Sequence, residues 1–228
     1  MENKPVKTNM TVTQYEESLP SILRLPLLGD RPCLDFINTI DWRLHLEKKR
    51  DTLIGYSDLL AFALRLNLIT IETYTWLTQR ADSAPLFAER ALNDARVFRD
   101  ALTRLIDDIA SDLHPASSHV PSSETLSIID AGRHRAHESE SLSWNGMQLV
   151  LSPQPEEEGL DLPWLIIVRD AERLLCSDLA SRIRVCASEG CGWAFLDQSK
   201  NGTRRWCSMK LCGNREKAAR FKAKNGKG

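Results

Sequence analysis

Four cysteines near the end of the chain constrain it more than any other feature. Cys186, Cys191, Cys207 and Cys212 stand as two C-x4-C pairs separated by fifteen residues, within "RVCASEGCGWAFLDQSKNGTRRWCSMKLCGNR". Paired cysteines mean either disulfides in an oxidising compartment or metal ligands in a reducing one. The start "MENKPVKTNMTVTQ" lacks the apolar run of a secretory signal, and no stretch approaches the ~20 apolar residues of a membrane span. The sequence therefore reads as cytoplasmic, without membrane contact, and its quartet as a metal site. Cys33 and Cys176 stand alone and read as buried thiols.

Four thiolates around one Zn²⁺ make a closed tetrahedral site with no position left for water or substrate, so the expected role is structural. Zinc suits the donor set best, although spacing alone leaves iron open. A module this small has too little core to fold alone, and structural zinc typically contributes ~10–16 kcal/mol. Five residues of α-helix turn through about 500°, leaving Cys207 and Cys212 about 140° from a common direction. Both ligands cannot come from one regular helix. The spacing instead predicts Cys207 in a turn and Cys212 in the first turn of a helix, a treble-clef-like arrangement. The first pair would flank a knuckle whose hairpin includes "CGWAFLD", with Trp193, Phe195 and Trp206 as the small core.

Charge divides the chain at the same place. The total is −1, yet residues 182–228 carry twelve basic and three acidic side chains, about +9, leaving about −10 for the rest. The cations suited to a polyanion are Arg204, Arg205, Lys210, Arg215, Lys217, Arg220, Lys222 and Lys224, most of them on a final helix from about Cys212 to Lys224. Ala218 and Phe221 supply its narrow apolar side. Such cations hold phosphate without choosing between DNA and RNA. Opposed halves also suggest that the acidic part masks the basic one until a signal separates them.

The remainder reads as mainly helical, with 1–22 a mobile N-terminal arm, 23–181 a helical domain and 182–228 the finger. A first helix runs from Leu34 to about Leu46, after Pro32. Ser57 and Thr70 are candidate N-caps for two short helices, "DLLAFALRLNLI" and "IETYTWLTQRA". The helix from Ala84 to Ser111 has the clearest apolar periodicity, and Ser123 opens another through "ETLSIIDAGRHRA". "ESLSWNGMQLVLSPQ" switches to alternating runs around Asn145-Gly146, a small β-hairpin with a two-residue turn. Asp161 and Pro163 begin the last helix before the finger.

On the first helix, Asp35, Asn38 and Thr39 share a side and Arg43 lies one turn beyond. That set fits a ligand pocket, or equally a group of hydrogen bonds that docks the helix on its neighbours. Arg43 would meet an anion, Asp35 or another carboxylate. His134 and His137 read as part of an exposed weakly basic face.

The run Cys212-Gly213-Asn214-Arg215, with "RRWCS" and "FLD" around the other ligands, resembles the CGNR zinc finger, and "PCLDFINT" at 32–39 resembles the opening motif of the ABATE domain. The resemblance implies a bacterial protein with a mostly helical N-terminal domain, regarded as a stress-induced transcription regulator with a DNA-binding finger. The leading functional expectation is therefore a one-component regulator: the helical domain receives a small molecule or partner, and the finger binds DNA, or RNA. An adaptor whose finger docks protein is the alternative, with an enzyme in the helical domain behind it. No P-loop, G-x-S-x-G elbow or open metal triad supports that last reading. A single finger covers little surface, so a homodimer is plausible on affinity grounds.

Overall fold

A computed structural model describes residues 21–111, 120–138, 140–153 and 159–225. The N-terminal arm up to residue 20 lies outside the described residues, as do 112–119 of the proline-containing loop and 154–158 of the acidic loop. Eight α-helices and three two-stranded antiparallel ribbons are described: α1 (Ser21–Arg24), α2 (Pro32–Ile37), β1 (Ile40–Asp41), β2 (Arg50–Asp51), α3 (Tyr56–Arg65), α4 (Ile71–Ser83) and α5 (Pro85–Ser111), then α6 (Ser123–Glu138), β3 (Glu140–Trp144), β4 (Leu149–Pro153), α7 (Leu162–Leu175), β5 (Ile183–Val185), β6 (Ala194–Leu196) and α8 (Asn214–Asn225). The fold is mainly α, with small hairpins and a four-cysteine finger at its end.

The 27-residue α5 is the spine. Its apolar stripe (Ala91, Ala95, Phe98, Leu102, Ile106) is buried against α2, α3, α4 and α6, while α7 closes the bundle against α2, α3 and α6. Phe98 meets Trp164 of α7, and Gly132 of α6 lies so close to the Phe98 ring that a Cβ there would approach it to 3.1 Å. Buried residues of the finger (Ile183, Trp193, Ala194, Phe195, Leu196) belong to the same continuous core as Phe36, Ile37 and Phe98.

Local signals place most elements to within a residue or two. Thr70 caps α4 as expected, accepting from the Thr73 N–H at 3.2 Å. Two caps differ. Helix α3 begins at Tyr56, because Asp58 reaches back to the Ile54 and Gly55 amides, so Ser57 sits inside the first turn. Ser122, one residue before Ser123, accepts from the Thr125 N–H and starts α6. The β3–β4 hairpin pairs Trp144 with Leu149, and Asn145 N–H donates to Gln148 O, so its central turn residues are Gly146-Met147, one step beyond the expected pair. Cys176 is exposed rather than buried.

The largest difference lies in the first helix, which stops at Ile37 instead of continuing to Leu46. Thr39 and Ile40 are β-branched, Ile40–Asp41 pairs with Arg50–Asp51, and Trp42 turns into the left-handed region at φ 48°. Asn38 becomes the C-cap, and residues 42–45 become a strap that leaves the bundle and runs to the finger.

Candidate metal centre and its basic surface

Strands β5 and β6 carry the first two cysteines at their joined ends. The Cys186 N–H donates to Trp193 O at 2.8 Å, and the Cys191 N–H to Ser188 O, closing a tight knuckle. Gly190 and Gly192 have φ of 73° and 69°. Both also lie against the strap: a Cβ on Gly190 would come within 2.9 Å of His45 Cβ, and one on Gly192 within 2.6 Å of Leu44 Cγ. Glycine is needed here for backbone conformation and for space.

Cys207 lies in an irregular turn, and Ser208 caps a single π-helical turn, Met209–Gly213, that contains Cys212 and runs directly into α8. The Gly213 N–H donates to Ser208 O at 3.0 Å, five residues back. This wider turn is how a five-residue spacing, poorly matched to a regular α-helix, presents both sulfurs to one point.

The four Sγ atoms are buried and lie within 4.8 Å of one another, with Cys191–Cys207 at 3.8 Å and Cys207–Cys212 at 3.5 Å. A tetrahedron with Zn–S near ~2.3 Å has edges of about 3.8 Å, so the cluster fits one zinc ion. Without an ion the thiols share protons: hydrogen bonds from Cys191 and Cys207 lower the Cys186 thiol, and the same sharing raises Cys191 and Cys207. A metal replaces those shared protons. Among the described residues no other group of histidine, cysteine or carboxylate ligands is close enough to hold a metal.

Arg215 supports the cluster from α8. Its Nη2 donates to Cys212 Sγ at 3.2 Å and to Ser188 Oγ at 2.8 Å, Nε also reaches Ser188, and the guanidinium lies 4.3 Å over the Trp42 ring of the strap. Glu216, next along, accepts from Ser188 Oγ and Glu189 N–H, which holds its carboxyl below the usual range. The first turn of α8 therefore fastens the knuckle and draws negative charge from a thiolate.

The N-terminal set Asp35, Asn38, Thr39 and Arg43 also serves this junction. Asp35 is buried and accepts from the Leu28 and Gly29 amides; burial, only partly offset by those donors, raises its pKa to about 6. Asn38 exchanges two hydrogen bonds with the backbone of Ala194 in β6, as a strand partner would. Thr39 receives Arg99 Nη1 on its hydroxyl and Thr52 on its carbonyl, and Arg99 is bidentate to Asp51. Burial alone would raise the Asp51 carboxyl, but the Arg99 hydrogen bonds and charge hold it below its ordinary value. Arg43 leaves the helix altogether: it grips Asp107 of α5 with two hydrogen bonds and donates to Gly192 O, while its N–H donates to Cys191 O. The set is a weld between bundle and finger, and Arg43 pairs with Asp107 rather than Asp35.

The eight expected cations divide into two groups. Arg204 pairs with Asp30 at 2.9 Å, donates to the Trp206 and Cys207 carbonyls and lies over the Phe195 ring; it and Arg215 are spent on the finger and on its junction with the bundle. Arg205, Lys210, Lys217, Arg220 and Lys222 are exposed, and none forms an ion pair among the described residues; Lys224 follows in the last turn of α8. Helix α8 packs substantially only on the π turn before it, and Ala218 and Phe221, which form its narrow apolar side, are exposed. Beyond its first turn, no other described element packs substantially on the basic helix. What sequence reasoning missed was Trp42 and the strap, whose only signal was the glycine pair in the knuckle.

A helical bundle welded to a closed four-cysteine finger with an uncovered basic helix defines a class: a zinc-stabilised domain joined to a helical partner domain. Residues 30–178 match the ABATE family, described as "putative stress-induced transcription regulator", and residues 182–225 match the CGNR zinc finger. The chain belongs to the ABATE family, carrying the CGNR finger after its family domain. No curated protein matches the chain. No helix among the described residues is long and apolar enough to cross a membrane.

Proposed function

We propose that the protein is a transcription regulator that binds nucleic acid, DNA first, through the uncovered cations of its finger, and that the helical domain receives the signal. One observation carries the reading: Lys217, Arg220 and Lys222 are exposed on α8 and Arg205 and Lys210 are exposed on the finger before it, none of them in an ion pair and with no element beyond the π turn packed substantially on α8 among the described residues; the one carboxylate whose charge Arg220 meets is Glu216, one turn back, which is itself tied to Ser188. Zinc is the scaffold, and Arg204 and Arg215 hold the surface in shape without touching phosphate.

A cavity of about 470 Å³ between α3, α4 and α5 supports the receiving role. Tyr56, Leu60, Tyr74 and Leu92 line its apolar part, with Asp82 and Arg96 among its polar groups, within the ordinary size range of small-molecule sites. The reading is non-enzymatic and cytoplasmic. A second reading, protein docking, draws support from Phe221 and Leu211, which are apolar and exposed on the same finger.

Fluorescence anisotropy of the zinc-loaded protein on mixed-sequence duplex DNA and matched RNA, across salt, tests the proposal. The expected result is duplex binding that weakens steeply with salt and is lost when Lys217, Arg220 and Lys222 are changed to Glu, with zinc content unchanged. No binding to either nucleic acid by the wild-type protein would overturn it and favour the docking reading.

A further inference from the structure

The β3–β4 hairpin has no evident place in either the metal centre or the basic surface. It packs substantially on no other described element. Its register sets Leu142 opposite Leu151 and Trp144 opposite Leu149, which puts all four on one face, with Met147 at the tip. These five side chains are between 61 and 84% exposed. Ser143 and Val150 occupy the other face.

Two further properties single the hairpin out. From Ser141 to Gln154 the sequence carries no charged residue, in a chain that is 27% charged overall. Edge strands left open to solvent are ordinarily guarded by lysine, an inward charge, a bulge or proline along the strand; here the central strand positions carry none of these. A two-stranded ribbon is also marginal by itself in water and needs another layer over its apolar face.

We infer that this face is a self-association surface, on which the hairpins of two copies of the chain pack against each other about a two-fold axis. The absence of charge argues for a second copy over a different partner. Nothing here offers electrostatic selection, whereas charge depletion with Trp and Met enrichment matches the core of a homodimer interface. Area agrees: at these exposures the five side chains present on the order of 700 Å² per copy, close to the roughly 800 Å² per partner of a standard specific interface. A closed two-fold contact also ends the assembly at two. The pair would carry two α8 helices, which addresses the small footprint of a single finger. The inference stands on the hairpin alone and does not depend on nucleic-acid binding.

Sedimentation velocity of the full-length, zinc-loaded protein at micromolar concentration is the test, beside Trp144→Glu/Leu149→Lys. Because both side chains are exposed, the double variant keeps its fold, which circular dichroism and zinc content check. The expected result is a dimer for the wild type and a monomer for the variant. A monomeric wild type would overturn the inference, whatever else covers the face, and so would a variant that remains dimeric with its fold intact.

Discussion

Asn38 and Ala194, 156 positions apart, are joined by two hydrogen bonds: Asn38 Nδ2 donates to the Ala194 carbonyl at 2.9 Å, and the Ala194 N–H donates to Asn38 Oδ1 at 2.8 Å. The side-chain amide of the C-cap of α2 thus takes the place of a neighbouring strand for β6. Asn38, Arg43 and the strap make the finger part of the protein's core, and that placement leaves α8 free to face outward.

Replacing Asn38 with Ala removes both partners from a buried backbone unit. The expected cost is about 2–4 kcal/mol, since a buried donor and acceptor are left unmet. Urea denaturation followed by circular dichroism measures it, and the loss should appear as one cooperative transition shared by bundle and finger.

Arg215 and the neighbouring cations of α8 should fail differently. Arg215→Ala removes a donor to the Cys212 sulfur, so zinc affinity, measured by competition with a chromogenic chelator, should fall about 10–100-fold. Lys217→Ala and Arg220→Ala should leave zinc affinity unchanged while each lowers the slope of log K against log salt by about 1.

Asp35 predicts a pH dependence. Its pKa is raised to about 6 in the folded protein because burial disfavours the charged form. The folded state then binds the proton more tightly than the unfolded chain, so this group's contribution to stability falls as pH rises from about 4 to about 6. Asn can still accept from Leu28 and Gly29 without charge. Asp35→Asn should therefore match wild type near pH 4 and exceed it by up to about 2–3 kcal/mol above pH 6, a difference that denaturation at several pH values measures directly.

Gly192→Ala should destabilise the knuckle by about 2 kcal/mol or more, because φ of 69° is unfavourable for alanine and its Cβ would meet Leu44 at 2.6 Å. A lower thermal midpoint with zinc still bound is the expected result.

The sequence makes the metal centre legible because ligand chemistry leaves so few alternatives: four cysteines at this spacing have one economical use. Helical periodicity places α5, and Thr70 marks the start of α4, because both are local properties of the chain. The strap escapes such reading. Residues 38–46 carry apolar side chains at helical spacing, yet Ile40 pairs with Asp51 and Trp42 adopts a left-handed conformation to reach Arg215. Those are tertiary contacts that outweigh local propensity. The same holds for Arg204 and Arg215, which look like phosphate ligands in the sequence and are consumed in the fold by backbone carbonyls, a hydroxyl, a sulfur, a carboxylate and two aromatic rings.

Hydrogen exchange on the full-length protein, with and without zinc, tests the weld between bundle and finger most directly. A chelator is expected to abolish protection in 183–215 and, together with it, in the strap and in the amides around Asn38 and Thr52. Loss confined to 183–215, with α2 and the strap protected as before, would contradict it and make the finger an independent appendage.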